Sequence, residues 1–299
     1  MVRIFVARHA GACYGVERAL RIVDECAETR GPVFTLGPLI HNPIVVSRLA
    51  ERGVVAVDDV DPLEEGSTVV IRSHGVVPQV VEHALALGLD VVDATCPHVK
   101  KAHEGAAELA AQGYQVVVVG EAGHPEVEGI LARAGEGAVA VASVEELDRA
   151  TLSKRVGVVV QTTQSQELLS RVVCALLPRV RDLRVVNTIC AATVQRQEAA
   201  RELAGSVDAM VVVGGKNSGN TRRLAEVCLS RCPSTHHVEA PSEIDPAWFE
   251  GAERIGVTAG ASTPADQVES VVSTLERMTG GLADRSGKGV GAHGRQSSR

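Results

Sequence analysis

Short β-branched runs recur along the chain, each passing into a turn of Gly, Ser, Thr or His and then into helical periodicity. Nine such units are legible, with strands expected near 2–7, 33–36, 69–72, 91–94, 116–120, 156–160, 184–186, 210–214 and 255–258. Strand and helix alternating in this way predict mainly parallel sheets with helical crossovers, an α/β fold. The polar turn residues in order are Cys13, His41, His74, Cys96, His124, Thr162, Cys190, Ser218 and Ser262, so a cysteine opens every third unit. That grouping predicts three similar small α/β domains at residues 1–88, 89–182 and 183–279. Residues 280–299 carry almost nothing apolar and are expected to form a disordered tail.

The cysteines of these units lie 83 and 94 residues apart, and each is followed 28 positions later by a polar turn residue: Cys13 by His41, Cys96 by His124, Cys190 by Ser218. A spacing repeated three times reads as one module used three times. Pro43, Pro78, Pro97, Pro125 and Pro264 follow the turn residues by one to four positions. Proline suits the first helical turn, where its missing N–H is not needed. Cys96, His124 and Ser262 are therefore expected at or just before helix N-termini, beyond the carboxyl ends of strands. Open α/β sheets bind ligands at that edge, and helix N-termini attract anions.

Composition narrows the function classes. A chain of 299 residues, 45% hydrophobic, has room for two or three cores. Its net charge of −7 argues against a nucleic-acid binder, which usually presents a basic face. The apolar run 4–7 after Arg3 is too short for a signal peptide. The valine run 116–119 is strand-length, so no membrane span is expected. Seven cysteines without a Cys-x-x-Cys pair or an even framework point to reduced thiols and a cytoplasmic location.

A lone cysteine is usually a small buried hydrophobe, but the shared spacing and turn position make Cys13, Cys96 and Cys190 candidate metal ligands. Three thiolates fit either zinc with an open fourth position or an iron–sulfur cluster with one iron not bound by cysteine. Cys26 and Cys174 fall inside helical patterns and read as core, and Cys228 and Cys232 read as structural. His41, His74 and His124 occupy equivalent turns, where neutral imidazoles donate to phosphate oxygens. Glu126, two residues past His124, reads either as a buried acid with a raised pKa or as a helix N-terminal acid that complements the dipole. The stretch from Gly214 to Thr221, with Ser218, Gly219 and Asn220, resembles a phosphate nest but lacks the Gly-Lys-Ser/Thr ending of a Walker A loop.

Taken in order, several motifs resemble one family. They are Gly11-Ala12-Cys13-Tyr14-Gly15-Val16, His41-Asn42, Ser73-His74-Gly75-Val76, Asp93-Ala94-Thr95-Cys96-Pro97 and Gly123-His124-Pro125-Glu126-Val127-Glu128-Gly129. Gln161-Thr162-Thr163, Arg196-Gln197-Glu198-Ala199, Asn217-Ser218-Gly219-Asn220 and Thr258-Ala259-Gly260-Ala261-Ser262 complete the set. Together they are similar to the 4-hydroxy-3-methylbut-2-enyl diphosphate reductase family of the methylerythritol phosphate route, from Val2 to about Leu275. The resemblance implies a cloverleaf of three α/β domains around a central [4Fe-4S] cluster held by Cys13, Cys96 and Cys190, with the fourth iron open. It implies reductive dehydroxylation of an allylic diphosphate to isopentenyl and dimethylallyl diphosphate. Glu126 is then the proton donor, with Thr162 and His124 in the proton and hydroxyl network. His41, His74, Ser218, Asn220 and Ser262 would hold the diphosphate, and Gly219 would give a backbone contact. An electron donor such as a ferredoxin or flavodoxin is implied as partner.

Four positions depart from the family's usual pattern. Ala12 precedes and Tyr14 follows the first cysteine, Gly219 stands where a second serine is common, and Ala191 replaces an aromatic after the third cysteine. None removes a cluster ligand or the proton donor, but they leave room for altered turnover or a paralogue with another substrate. Two rival readings remain: an iron–sulfur sensor that binds a diphosphate without turnover, and a three-thiolate zinc hydrolase. Retention of Glu126 and Thr162 disfavours the sensor, which needs no proton donor.

Overall fold

The computed structural model describes residues 1–286. The chain opens with β1 (Arg3–Val6) and α1 (Tyr14–Thr29), followed by β2 (Val33–Leu36), α2 (Pro43–Glu51), β3 (Val54–Val57), β4 (Thr68–Ile71), α3 (Pro78–Ala86) and β5 (Asp90–Asp93). Next come α4 (Pro97–Ala111), β6 (Gln115–Val119), α5 (Pro125–Ala134), β7 (Val139–Val141), α6 (Val144–Arg149), β8 (Arg155–Val160), α7 (Gln166–Leu176) and β9 (Asp182–Val186). The remainder is α8 (Ala191–Ala204), β10 (Ala209–Val213), α9 (Gly219–Leu229), β11 (Thr235–Val238), β12 (Arg254–Ala259), α10 (Ala265–Thr279) and β13 (Leu282–Asp284).

Three parallel sheets result, ordered β3-β2-β4-β5, β7-β6-β8-β9 and β11-β10-β12-β1-β13. The α/β expectation is met, and the order is the same in each sheet. An edge strand pairs with the module's second strand, the third strand follows, and the strand leading to the next module's cysteine comes after it. Central strands such as β10 (Ala-Met-Val-Val-Val) are buried at every position, as a parallel sheet covered on both faces requires. In the sheet containing β6 and β8, Leu168, Val172 and Leu176 pack one face, and Ala102, Ala106 and Ile130 the other.

The sheets cross the divisions expected at 1–88, 89–182 and 183–279. The strand before each cysteine joins the sheet of the preceding module. Crossovers β4–α3–β5 and β8–α7–β9 lay that strand beside the last one. For β1 the preceding module is the last in the chain, and it pairs with β12 in register Arg3↔Arg254 to Val6↔Val257. The chain accordingly divides into two units, residues 14–190 with two sheets, and residues 1–13 with those from 191 onward with the third.

The disorder expected over 280–299 is corrected at its start. Leu282–Asp284 adds to β1 as a parallel strand, and the Arg285 guanidinium bonds the carboxylates of Glu269 and Glu276 on α10. The rest of the expected tail, 287–299, lies outside the described residues.

Candidate active site

In the unit of residues 14–190, the turns after β2, β4 and β6 each present a histidine. Asn42 caps α2, its side-chain oxygen accepting from the N–H groups of Ile44 (3.1 Å) and Val45 (3.3 Å), with Pro43 opening the helix. His41 directly precedes this cap. The N–H and hydroxyl of Ser73 donate to the Leu39 carbonyl at 3.2 and 3.1 Å, tying the His74 turn to the His41 turn. His124 caps α5, its Nδ1 accepting from the Glu126 N–H at 3.1 Å, so Nδ1 carries no proton. The three rings converge. His41 stacks on His74 with centroids 4.2 Å apart, and His124 meets them edge-on at 5.2 and 5.5 Å. Burial, then the positive charge that His41, His124 and Arg72 would share with it, holds His74 well below the ordinary 6.5. Its imidazole is neutral at physiological pH, and its Nδ1 is a buried nitrogen without a hydrogen-bond partner among the described residues.

Glu126 follows in the first turn of α5 and is only 1% exposed. Its carboxylate accepts the Thr162 N–H at 2.6 Å and the Thr162 hydroxyl at 2.9 Å. Burial pushes its pKa up to about 7, against the opposing pull of those two bonds. Glu126 is thus both a helix N-terminal acid and a buried carboxyl with a raised pKa.

The cysteine turns repeat one hydrogen bond. Cys96 N–H donates to Ser73 O at 3.0 Å, Cys190 N–H to Thr162 O at 2.9 Å and, in the other unit, Cys13 N–H to Ala261 O at 3.1 Å. Each acceptor lies just past the third strand of its own sheet, namely β4, β8 and β12. All three thiols are partly exposed, and Cys96 is the N-cap of α4. Cys26, Cys228 and Cys232 are buried as expected, with the Cys228 thiol raised to about 12 by desolvation. Cys174 is not core. It is exposed because α7 turns Leu168, Leu169, Val172 and Leu176 inward and leaves position 174 on the opposite face. Among the described residues no group of three or more His, Cys, Asp or Glu is arranged to hold a metal ion.

In the unit of residues 1–13 and 191 onward, Ser218 caps α9, its hydroxyl oxygen accepting from the Thr221 N–H at 3.3 Å. Gly219 and Asn220 open that helix and are buried, and the Asn220 side-chain NH2 has no partner among the described residues. Ser262 is buried in the turn after β12, three residues ahead of α10, whose cap is Pro264. A Cβ on Gly260 would collide with the Thr221 side chain, and one on Gly214 would lie 2.6 Å from the Thr263 Oγ1. Arg196, which the sequence shows only as part of a motif, supports the turn before Cys13. It is 3% exposed, and its guanidinium donates to Gly11 O at 2.8 Å, holding the turn that carries Cys13. A charged residue one helical turn and a half beyond Cys190 was the available signal.

The sequence model of the LytB protein family matches residues 4–276. The chain belongs to the LytB family. It is 50% identical over 277 residues to the 4-hydroxy-3-methylbut-2-enyl diphosphate reductase of Geobacter sp. (strain M21), covering 93% of this chain and 98% of that one. It is similar to a solved (E)-4-hydroxy-3-methyl-but-2-enyl diphosphate reductase, described as the terminal enzyme of the non-mevalonate pathway, at 45% identity and TM-score 0.69, covering 93% of this chain and all (100%) of that one. It is also similar to the E-1-hydroxy-2-methyl-but-2-enyl-4-diphosphate reductase of Plasmodium falciparum, at 27% identity and TM-score 0.87, covering 92% and 88% of the two chains. Like these LytB relatives the chain is an oxidoreductase. Among the described residues no helix is long and apolar enough to cross a membrane.

Proposed function

We propose that the chain reduces (E)-4-hydroxy-3-methylbut-2-enyl diphosphate to isopentenyl and dimethylallyl diphosphate, in the cytoplasm, with electrons from a ferredoxin or flavodoxin. The observation that carries this reading is Glu126, a buried carboxyl that desolvation raises to about 7 and that Thr162 holds through both oxygens. Replacing the terminal hydroxyl by hydrogen takes two electrons and two protons and releases water. Glu126 supplies a proton to the leaving hydroxyl, and Thr162 orients the carboxyl so that the proton faces the substrate.

Cys13, Cys96 and Cys190 fit a [4Fe-4S] cluster by donor chemistry: three partly exposed thiols at corresponding strand ends, each fixed by the same backbone bond. When bound, such a cluster supplies the electrons one at a time and an iron without cysteine to polarise the substrate hydroxyl. The converging His41, His74 and His124 rings are suited to donate to a diphosphate, with His74 held neutral by burial. Ser218, Gly219, Asn220 and Ser262 are proposed to bind the diphosphate as well, and the unpartnered Asn220 NH2 supports that role.

Glu126→Gln tests the assignment. The variant is expected to retain its iron and to bind inorganic pyrophosphate like the parent, while turnover with reduced viologen falls about a hundredfold or more. Unchanged turnover would remove Glu126 from the mechanism.

A further inference from the structure

One buried side chain outside the site described above touches two of the elements that build it. His103 lies on α4, 5% exposed, and its ring sits where two glycines lack a side chain. A Cβ on Gly75 would lie 2.8 Å from His103 Cε1, and a Cβ on Gly129 would lie 2.9 Å from His103 Nε2. Gly75 follows His74 in the turn after β4. Gly129 follows Glu126 by three residues on α5, hence on the same helical face. One imidazole thus separates the turn carrying His74 from the helix carrying His124 and Glu126.

Arg133 acts on the same pair in the opposite sense. Its guanidinium donates to Val76 O at 3.1 Å and to Gly129 O at 2.7 Å, drawing the same turn and helix together. The ring sets the closest approach, and the guanidinium prevents separation. Gly75 has φ +73, so its backbone independently favours glycine, whereas Gly129 lies within a regular helix, and only the His103 contact restricts it. His103 Nε2 is buried and without a hydrogen-bond partner among the described residues, which fits a ring that acts by its bulk.

We propose that His103 is a positioning residue whose ring, clamped by Arg133 between Gly75 and Gly129, sets the spacing of His74 from Glu126 and His124. This rests on the proposed diphosphate reduction, because it assigns those residues to one substrate. The step between a spaced and an unspaced site is steep, since misplacing a catalytic group by about 1 Å costs on the order of a hundredfold.

The test is a size-exchange cycle on the full-length protein, purified without air and with iron content measured for each variant. Gly129→Ala, His103→Ala and the double variant are compared for pyrophosphate affinity, KM and kcat. Each single change is expected to weaken pyrophosphate binding and lower kcat/KM about tenfold. The double variant, in which the new methyl enters the space left by the ring, is expected to recover at least part of both losses. His103→Leu, which keeps the bulk and removes the nitrogens, is expected to stay within about twofold of the parent even if a variant with alanine fails to fold. Additive losses in the cycle, or a His103→Leu variant as impaired as His103→Ala, would overturn the spacer. A parent protein that binds pyrophosphate but never turns over the allylic diphosphate would instead overturn the proposed function, while the binding cycle would still report on the spacer.

Discussion

Glu126 and Thr162 meet twice: one carboxylate accepts both the backbone N–H and the hydroxyl of a single residue, at 2.6 and 2.9 Å, and both partners are buried. Thr162 also offers its carbonyl to the Cys190 N–H at 2.9 Å. Thr162 therefore holds both the Glu126 carboxyl and the backbone of the turn that carries Cys190.

The Glu126 carboxyl carries a stability consequence. Its folded pKa, about 7, lies above the ordinary 4.5. The folded state therefore binds the proton more tightly than the unfolded state between those values, and stability falls as pH rises through that window. The full penalty is on the order of 3 kcal/mol. Glu126→Gln should thus be more stable than the parent at pH 8, with the difference shrinking toward pH 4.5. Urea melts across that range check this. A variant equally stable or less stable at every pH would show that the buried carboxylate is not under strain.

His74 has the opposite sign. Its folded pKa is depressed below 6.5, so the unfolded chain takes up the proton first as pH falls. Stability is present above 6.5 and is lost progressively below it. Replacing His74 by Gln removes the titrating ring. Melting temperatures measured from pH 7.5 to 5 are expected to decline less steeply for His74→Gln than for the parent, and parallel declines would count against a neutral His74 in the folded state.

Gly260→Ala is expected to cost about 1–3 kcal/mol by overpacking against the Thr221 side chain. Because Thr221 donates its N–H to Ser218 at the start of α9, the same change should weaken pyrophosphate binding. Denaturation and calorimetric titration read the two effects separately. Lost stability with intact binding would detach that turn from the diphosphate.

The seven cysteines should divide by chemistry. Cys13→Ser, Cys96→Ser and Cys190→Ser are each expected to lose most of the iron and sulfide of the anaerobic protein. Cys228→Ser, a change at a buried thiol raised to about 12, should keep both while lowering stability. Iron retained in any of the first three variants would remove that residue from the ligand set.

Much of this architecture is legible along the chain, for identifiable reasons. Pro97 and Pro125 mark helix starts because proline tolerates only the first turn, and Cys96 and His124 do cap those helices. The edge strands β3, β7 and β11 escape because they are only three or four residues long and incompletely buried. The pairing of β1 with β12 escapes because local periodicity carries no information about a partner at the far end of the chain. His103 and Arg133 read as ordinary helical residues, since their significance lies in the two glycines they face. Cys174 shows the reverse error: apolar neighbours in sequence do not say which side of α7 a residue occupies.

The most direct measurement is anaerobic. The protein is purified without air, its iron and sulfide are quantified, and the oxidation of reduced viologen is followed on adding (E)-4-hydroxy-3-methylbut-2-enyl diphosphate. The expected result is a brown protein with about four irons per chain, substrate-dependent oxidation, and isopentenyl and dimethylallyl diphosphate as products. A brown protein that binds the substrate and leaves the viologen reduced would contradict the proposed reduction, and a colourless protein that cannot be reconstituted would contradict the three-cysteine centre on which it depends.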